Sequence, residues 1–306
     1  MGDALGAPVE FLSLGEIHRR FGTAGIVDFA PAYGKLGAIT DDTQMTLFTA
    51  EGLLDTCRLG QDPAESIRAA YGRWLLTQGG DYEDNGEQEG LLAHRELWSL
   101  RAPGNTCLSA LRSGRPVLQS KECGGVMRVA PVGLVYDGRE AFRIGAESAR
   151  ITHGHPSGYL PAGAFAMMIG ELVRGGSLTE AVDHANEELR SWEGHKETLR
   201  AIQGAVELAG SRVRSEPEIV ERLGEAWTGH EALAIGLFCA LRAGDFAHGV
   251  RLAANHSGDS DSTASLTGQL LGAQAGVETI PPGWLDLLEL SDVIEQVGRD
   301  LYGCVG

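Results

Sequence analysis

The sequence has no uninterrupted apolar stretch of the roughly 18 residues that a membrane-spanning helix needs. It has five cysteines, at 57, 107, 123, 239 and 304, an odd and scattered set with no CxxC pair. That argues against a disulfide framework and a structural zinc site, and points to a reducing cytoplasm. Basic clusters are scarce, and none is longer than His18-Arg19-Arg20. With a formal net charge of -17, the chain lacks the basic stripe of an electrostatic nucleic-acid scaffold. Pro/Ser-rich linkers, fixed-period repeats and low-complexity tails are also missing. The opening Met1-Gly2-Asp3-Ala4-Leu5-Gly6 has no basic or apolar signal region. It starts inside what reads as a structured motif, so an upstream helix is expected to be missing.

Strand signals are nearly absent too. Gly25-Ile26-Val27-Asp28-Phe29-Ala30 alternates too briefly to build a sheet, and no βαβ alternation follows. Helical periodicity prevails instead. Met45–Leu54 places apolar groups on one side of a helix, and Asp62-Pro63 reads as an N-cap and first turn of a helix reaching about Leu76. Further helices are expected at Ala141–Ile151, Gly163–Arg174, Leu178–Leu189, Lys196–Leu208, Glu216–Leu223, His230–Ala243, Phe246–Ala254, Ser262–Ala275 and Asp292–Leu301. Gly268, Gly272 and Gly276 recur every four residues and read as a close-packing face. The chain is expected to be all-α, a single domain over residues 1–306.

Two acid clusters stand near the ends of the chain: Thr40-Asp41-Asp42-Thr43, and Gly258-Asp259-Ser260-Asp261-Ser262-Thr263. Each precedes an apolar-periodic stretch, so helix capping is the simplest account of either one. Two acids plus hydroxyls in each exceed what a cap requires. Oxygen donors of this kind suit Mg²⁺ or Mn²⁺, and converging clusters would form a two-metal site with hydrolytic chemistry. Beside such a site, Glu10 in Gly2-Asp3-Ala4-Leu5-Gly6-Ala7-Pro8-Val9-Glu10 becomes a candidate base. Gly124-Gly125, ahead of Val126-Met127-Arg128, can present backbone N–H groups to a phosphate. Arg128 reads equally as a phosphate contact or a structural partner. His153 and His155 stand two apart, unlike a helical zinc pair, and suit a ligand-contacting loop or a capped turn. His256 is placed to orient a carboxylate.

Taken in order, these segments resemble the ADP-ribosylglycohydrolase family. The resemblance rests on Gly2–Glu10, Thr40–Met45, Met127–Pro131, Thr152–Pro156 and His256–Thr263, spanning nearly the whole chain. It implies an all-α, multi-helix orthogonal bundle in which the usual first helix is truncated. It implies two Mg²⁺ or Mn²⁺ ions, held by Thr40, Asp41 and Asp42 from one side and Asp259, Asp261 and Ser262 from the other, with Thr263 the alternative to Ser262. Glu10, Asp42 and Asp261 take the catalytic positions. Gly124, Gly125, Val126 and Met127 fall in the phosphate-side loop, and His153, Gly158 and Tyr159 in the segment approaching ADP-ribose. The implied substrate is an ADP-ribosylated protein, arginine-linked as first choice, or a small ADP-ribosyl compound. A non-catalytic ADP-ribose binder and a metal-dependent phosphohydrolase are the alternatives. Two departures stand out. Many relatives read Asn-Gly where this chain has Gly124-Gly125. Some carry an acid in the segment that here reads Ala102-Pro103-Gly104-Asn105-Thr106.

Overall fold

The structure is a computed structural model describing residues 1–81, 89–211 and 216–305, with side chains of 216 and 217 left aside. Its helices are α1 (Gly2–Gly6), α2 (Leu14–Phe21), α3 (Asp41–Leu59), α4 (Pro63–Thr77), α5 (Asn105–Ser113), α6 (Ala130–Val135), α7 (Gly138–Arg150) and α8 (Pro156–Val173). They continue with α9 (Leu178–Leu189), α10 (Lys196–Ala209), α11 (Glu216–Val220), α12 (Gly229–Arg242), α13 (Phe246–Ala254), α14 (Ser260–Ala275), α15 (Pro282–Leu287) and α16 (Ser291–Tyr302). Among the described residues there is no strand, only isolated bridges such as Glu122 with Thr228. The Gly25–Ala30 segment is an extended loop, where the Ile26 amide donates to Asn255 Oδ1 at 2.7 Å.

Helix ends follow local chemistry. Asp62 accepts from the Ala64 and Glu65 amides, and Pro63 sets the first turn of α4. Ser13 with Glu16, and Ser177 with Glu180, form capping boxes for α2 and α9. Several elements depart from the sequence expectation. Helix α8 begins at Pro156 rather than Gly163, because His155 accepts the Ser157 amide and Pro156 preorganises the turn. Pro161 is carried inside it. Helix α14 opens at Ser260, two residues early, and α11 stops at Val220. The short helices α1, α5, α6 and α15 give too little periodicity to announce themselves.

Helix α8 is apolar all round and buried along almost its whole length, packed against α6, α7, α9 and α12. Helix α14 is the second central element and carries α1, α12 and α13. Tight approach does not come from the Gly268 series: a Cβ on Gly272 would meet nothing within 4 Å, and Gly276 ends α14 at φ 78°. It comes from Gly2 and Gly6. A Cβ on Gly2 would sit 1.8 Å from the Ala264 carbonyl oxygen, and one on Gly6 2.4 Å from Asp261 Cα. The start of the chain therefore lies directly on the second acid cluster.

Candidate active site

Both acid clusters open a helix. Thr40 caps α3, its hydroxyl accepting the Asp42 amide at 3.2 Å. Asp259 stands at the cap position of α14, and Asp261 in its first turn. A third element locks them together. Asp3, on α1, accepts the Thr40 amide on both oxygens at 3.1 Å and the Thr43 amide at 3.2 Å. The Thr43 hydroxyl also donates to it. Since α1 lies on α14, this carboxylate ties the start of α3 to the start of α14.

The result is a cleft of about 300 Å³ lined by Glu10, Asp41, Asp42, Asp259, Asp261 and Ser262, together with Gly124 and Met127. The two clusters meet directly: Ser262 Oγ donates to Asp42 Oδ1 at 3.3 Å across 220 residues of sequence. One carboxylate oxygen each from Glu10, Asp259 and Asp261 lies within 4.8 Å of the other two. Burial pushes the Asp41, Asp42 and Asp261 carboxyls well above their usual range, and neighbouring carboxylates push further. Glu10 is raised to about 9, first by burial and then by Asp259, Asp41 and Asp3.

Three of these acids have a buried oxygen with no hydrogen-bond partner: Glu10 Oε2, Asp42 Oδ2 and Asp261 Oδ1. Buried carboxylate oxygens are ordinarily paired, so several unpaired ones facing one cleft fit a cation. The acids and Ser262 offer only oxygen donors, beside the thiols of Cys107 and Cys123, and oxygen donors suit a hard divalent ion. The acidic cluster can therefore hold a metal.

Not every expected residue reaches this cleft. The Thr263 hydroxyl bonds to the Ala253 and Asp259 carbonyls and to His256 Nε2, so it turns away from the acids. His256 thus fixes Thr263 and its own turn, through Ser257 O, and touches no carboxylate. Val126 is core, and Gly125 packs against Gly158, where a Cβ would lie 2.6 Å from the Gly158 carbonyl oxygen. His153 is fully buried behind Gly124, with Nδ1 against the Thr152 hydroxyl at 2.8 Å. Tyr159 lies under Arg150, 4.9 Å from guanidinium to ring centre. None of Gly125, Val126, His153, Gly158 and Tyr159 lines the cleft. Arg128 is fully buried, donates to Thr152 Oγ1 at 2.7 Å and stacks on Tyr71. It is structural and far from any phosphate role.

Other residues of the site lie outside the sequence motifs or carry no local signal. Asp3 carries no distinguishing local signal beyond its position between Gly2 and Gly6. Phe11 and Trp227 stack at the cleft mouth with ring centres 5.5 Å apart. Nothing local in the sequence pairs them. Ala102, Pro103, Gly104 and Asn105 also line the cleft, and the Gly104 amide donates to Asp41 Oδ2 at 3.3 Å. Phe11, Ala102 and Ala226 all hold positive φ, at 67°, 55° and 66°. Left-handed non-glycine residues cost energy, and of these three Phe11 and Ala102 line the cleft.

Comparison with known proteins places the chain in a family. The family model described as ADP-ribosylglycohydrolase matches residues 1–305. An uncharacterised protein of Archaeoglobus fulgidus is 30% identical over 99% of this chain and 92% of its own length. The ADP-ribosyl-[dinitrogen reductase] glycohydrolase of Rhodospirillum rubrum is 26% identical over 95% of this chain and 87% of its own. A solved structure titled ADP-ribosylglycohydrolase-related protein complex superposes with a TM-score of 0.72 at 27% identity, covering all of this chain and 94% of that one. The chain belongs to the ADP-ribosylglycohydrolase family and is a hydrolase of ADP-ribose linkages.

Proposed function

We propose that the cleft hydrolyses the bond between C1 of the distal ribose of ADP-ribose and an arginine side chain, using two Mg²⁺ or Mn²⁺ ions. The observation carrying this reading is the set of unpartnered buried oxygens on Glu10, Asp42 and Asp261. Asp41, Asp42, Asp259, Asp261 and Ser262 would hold the ions, with Thr40 adjacent as a further oxygen. When bound, the ions supply charge that polarises sugar hydroxyls and water and offsets the mutual repulsion of the carboxylates.

The chain's own groups do the rest. Glu10, at the mouth, takes the proton of the attacking water, with Asp42 the alternative base. The surrounding carboxylates stabilise positive charge developing at C1. Gly124 lets the phosphate-side loop pack closely on Cys107 and His153, since a Cβ there would come 2.8 Å from Cys107 Sγ and 3.1 Å from His153 Cε1. Arginine as acceptor is supported by the mouth itself. Phe11, Trp227, Glu10 and Glu122 form an aromatic and acidic rim, which suits a guanidinium better than a serine hydroxyl. The five cysteines form no disulfide, which supports a cytoplasmic setting.

The test is turnover of arginine-linked and serine-linked ADP-ribosyl peptides, with Mg²⁺ and with EDTA. Release of free ADP-ribose from the arginine peptide only with Mg²⁺ is expected. Equal release in EDTA would remove the metal from the mechanism. Faster release from the serine peptide would reassign the acceptor, and phosphate release would indicate a phosphohydrolase.

A further inference from the structure

The cleft wall carries a sulfur atom that a site for hard cations does not require. Cys123 opens the 3-10 turn Cys123–Gly125 and lines the cavity beside the acids. Its thiol donates to Asp259 Oδ2 at 2.8 Å. Ser262 Oγ lies 3.8 Å from Cys123 Sγ and 3.3 Å from Asp42 Oδ1, so sulfur and cluster oxygens are contiguous. The sulfur is presented from fixed backbone, because the Cys123 amide donates to the Trp227 carbonyl at 3.2 Å. Independently of the thiol, Asp42 and Asp261, each only 2% exposed, line this cavity, and Asp42 Oδ2 and Asp261 Oδ1 are buried without a partner. Cys107 lines the cavity too, but its sulfur accepts from Arg128 Nη1 at 3.2 Å. A cationic partner removes Cys107 as a metal donor.

We propose that Cys123, with Asp259 and Ser262, makes one wall of the cleft a mixed sulfur–oxygen site for a thiophilic divalent cation, Zn²⁺ or Cd²⁺. Sulfur selects such ions over Mg²⁺, while carboxylate oxygens accept both. On binding, the thiol proton now directed at Asp259 leaves to solvent, and a sulfur lone pair forms the metal bond without any change of oxidation state. The inference rests on the functional reading in sharing Asp259 and Ser262 with the hard-ion ligands. Its consequence is competition: a thiophilic ion displaces Mg²⁺ from the cleft.

The test uses the full chain carrying Cys57→Ser and Cys304→Ser, which removes the thiols outside the core and cleft. Cadmium is titrated and followed by its ultraviolet sulfur-to-metal charge-transfer band, and Mg²⁺ binding to the same protein is measured by calorimetry. The band is expected to saturate at a single equivalent. It should vanish in Cys123→Ser and in Cys123→Ala, each checked for a cooperative melt, and weaken in Asp259→Asn. Mg²⁺ binding without a band would overturn the sulfur site and leave the hydrolase reading intact. A band persisting in both Cys123 variants would overturn it as well. A band without Mg²⁺ binding would leave the sulfur site standing and remove the hard-ion reading. Binding of neither ion would remove both.

Discussion

Asp3 and Thr40 are joined by two contacts of 3.1 Å, both carboxylate oxygens of Asp3 accepting the one Thr40 amide. Asp3 is 1% exposed, and burial raises its carboxyl while the threonine donors pull it back down. This carboxylate is a clamp. It holds the first acid cluster at the orientation in which Asp42 faces Ser262.

Asp3→Ala is expected to destabilise the fold by about 2–4 kcal/mol, since it strands buried amides at the start of α3. Asp3→Asn keeps the shape but loses the charge, and should cost less. Urea denaturation measures both. A change under about 0.5 kcal/mol for Asp3→Ala would mean that the clamp is not needed.

Asp42→Asn and Asp261→Asn are expected to lower kcat/KM by about 10³-fold or more, the equivalent of several kcal/mol of lost metal assistance. Without added metal, both variants should melt higher than the parent, because each removes one member of a buried like-charge set. A functional cluster thus separates from a structural one: activity falls while metal-free stability rises. A lower melt together with retained turnover would contradict the assignment.

The acid cluster also predicts a pH dependence. Glu10 titrates at about 9 when folded, against 4.5 ordinarily. A raised carboxyl contributes stability that is fully present below its unfolded value and is lost as pH rises through the folded one. The metal-free protein should therefore lose stability between pH 4.5 and about 9. Added Mg²⁺ should raise the melting temperature most at the alkaline end of that range. A scan of Tm against pH, with Mg²⁺ and with EDTA, checks both slopes.

His153 works in the opposite direction. Burial and the nearby Arg128 hold its imidazole near 3, against 6.5 ordinarily. Its neutral form contributes stability above pH 6.5, lost as the pH falls toward 3. His153→Gln should flatten that part of the acid limb. An unchanged limb would show that other groups control acid unfolding.

At the mouth, Trp227→Ala should raise KM for an arginine-linked peptide by about 3- to 30-fold, the range of a cation–π contact. Its effect on kcat should be small, because Trp227 lies on the rim. Steady-state kinetics on arginine-linked and serine-linked peptides separates the two. An equal loss on both substrates would make the aromatic pair a general wall of the cleft.

The sequence by itself determined the all-helical class, most of the long helices and the two acid clusters, Asp41-Asp42 and Asp259 with Asp261; their meeting in one cleft is a tertiary outcome. Helix periodicity and capping are local, and paired acids at two helix starts remain visible without a fold. Tertiary structure decided what depends on contacts across the chain. It turned Thr263 inward to His256 and Ser262 outward to Asp42, although the two are neighbours. It buried Arg128 and His153 and set half-buried Tyr159 against Arg150, outside the cleft lining. It gave Asp3 its clamping role, because glycines at 2 and 6 let α1 rest on the backbone of α14. The direction of a side chain at a helix start depends on what packs against it, and for Ser262 that partner, Asp42, lies 220 residues away.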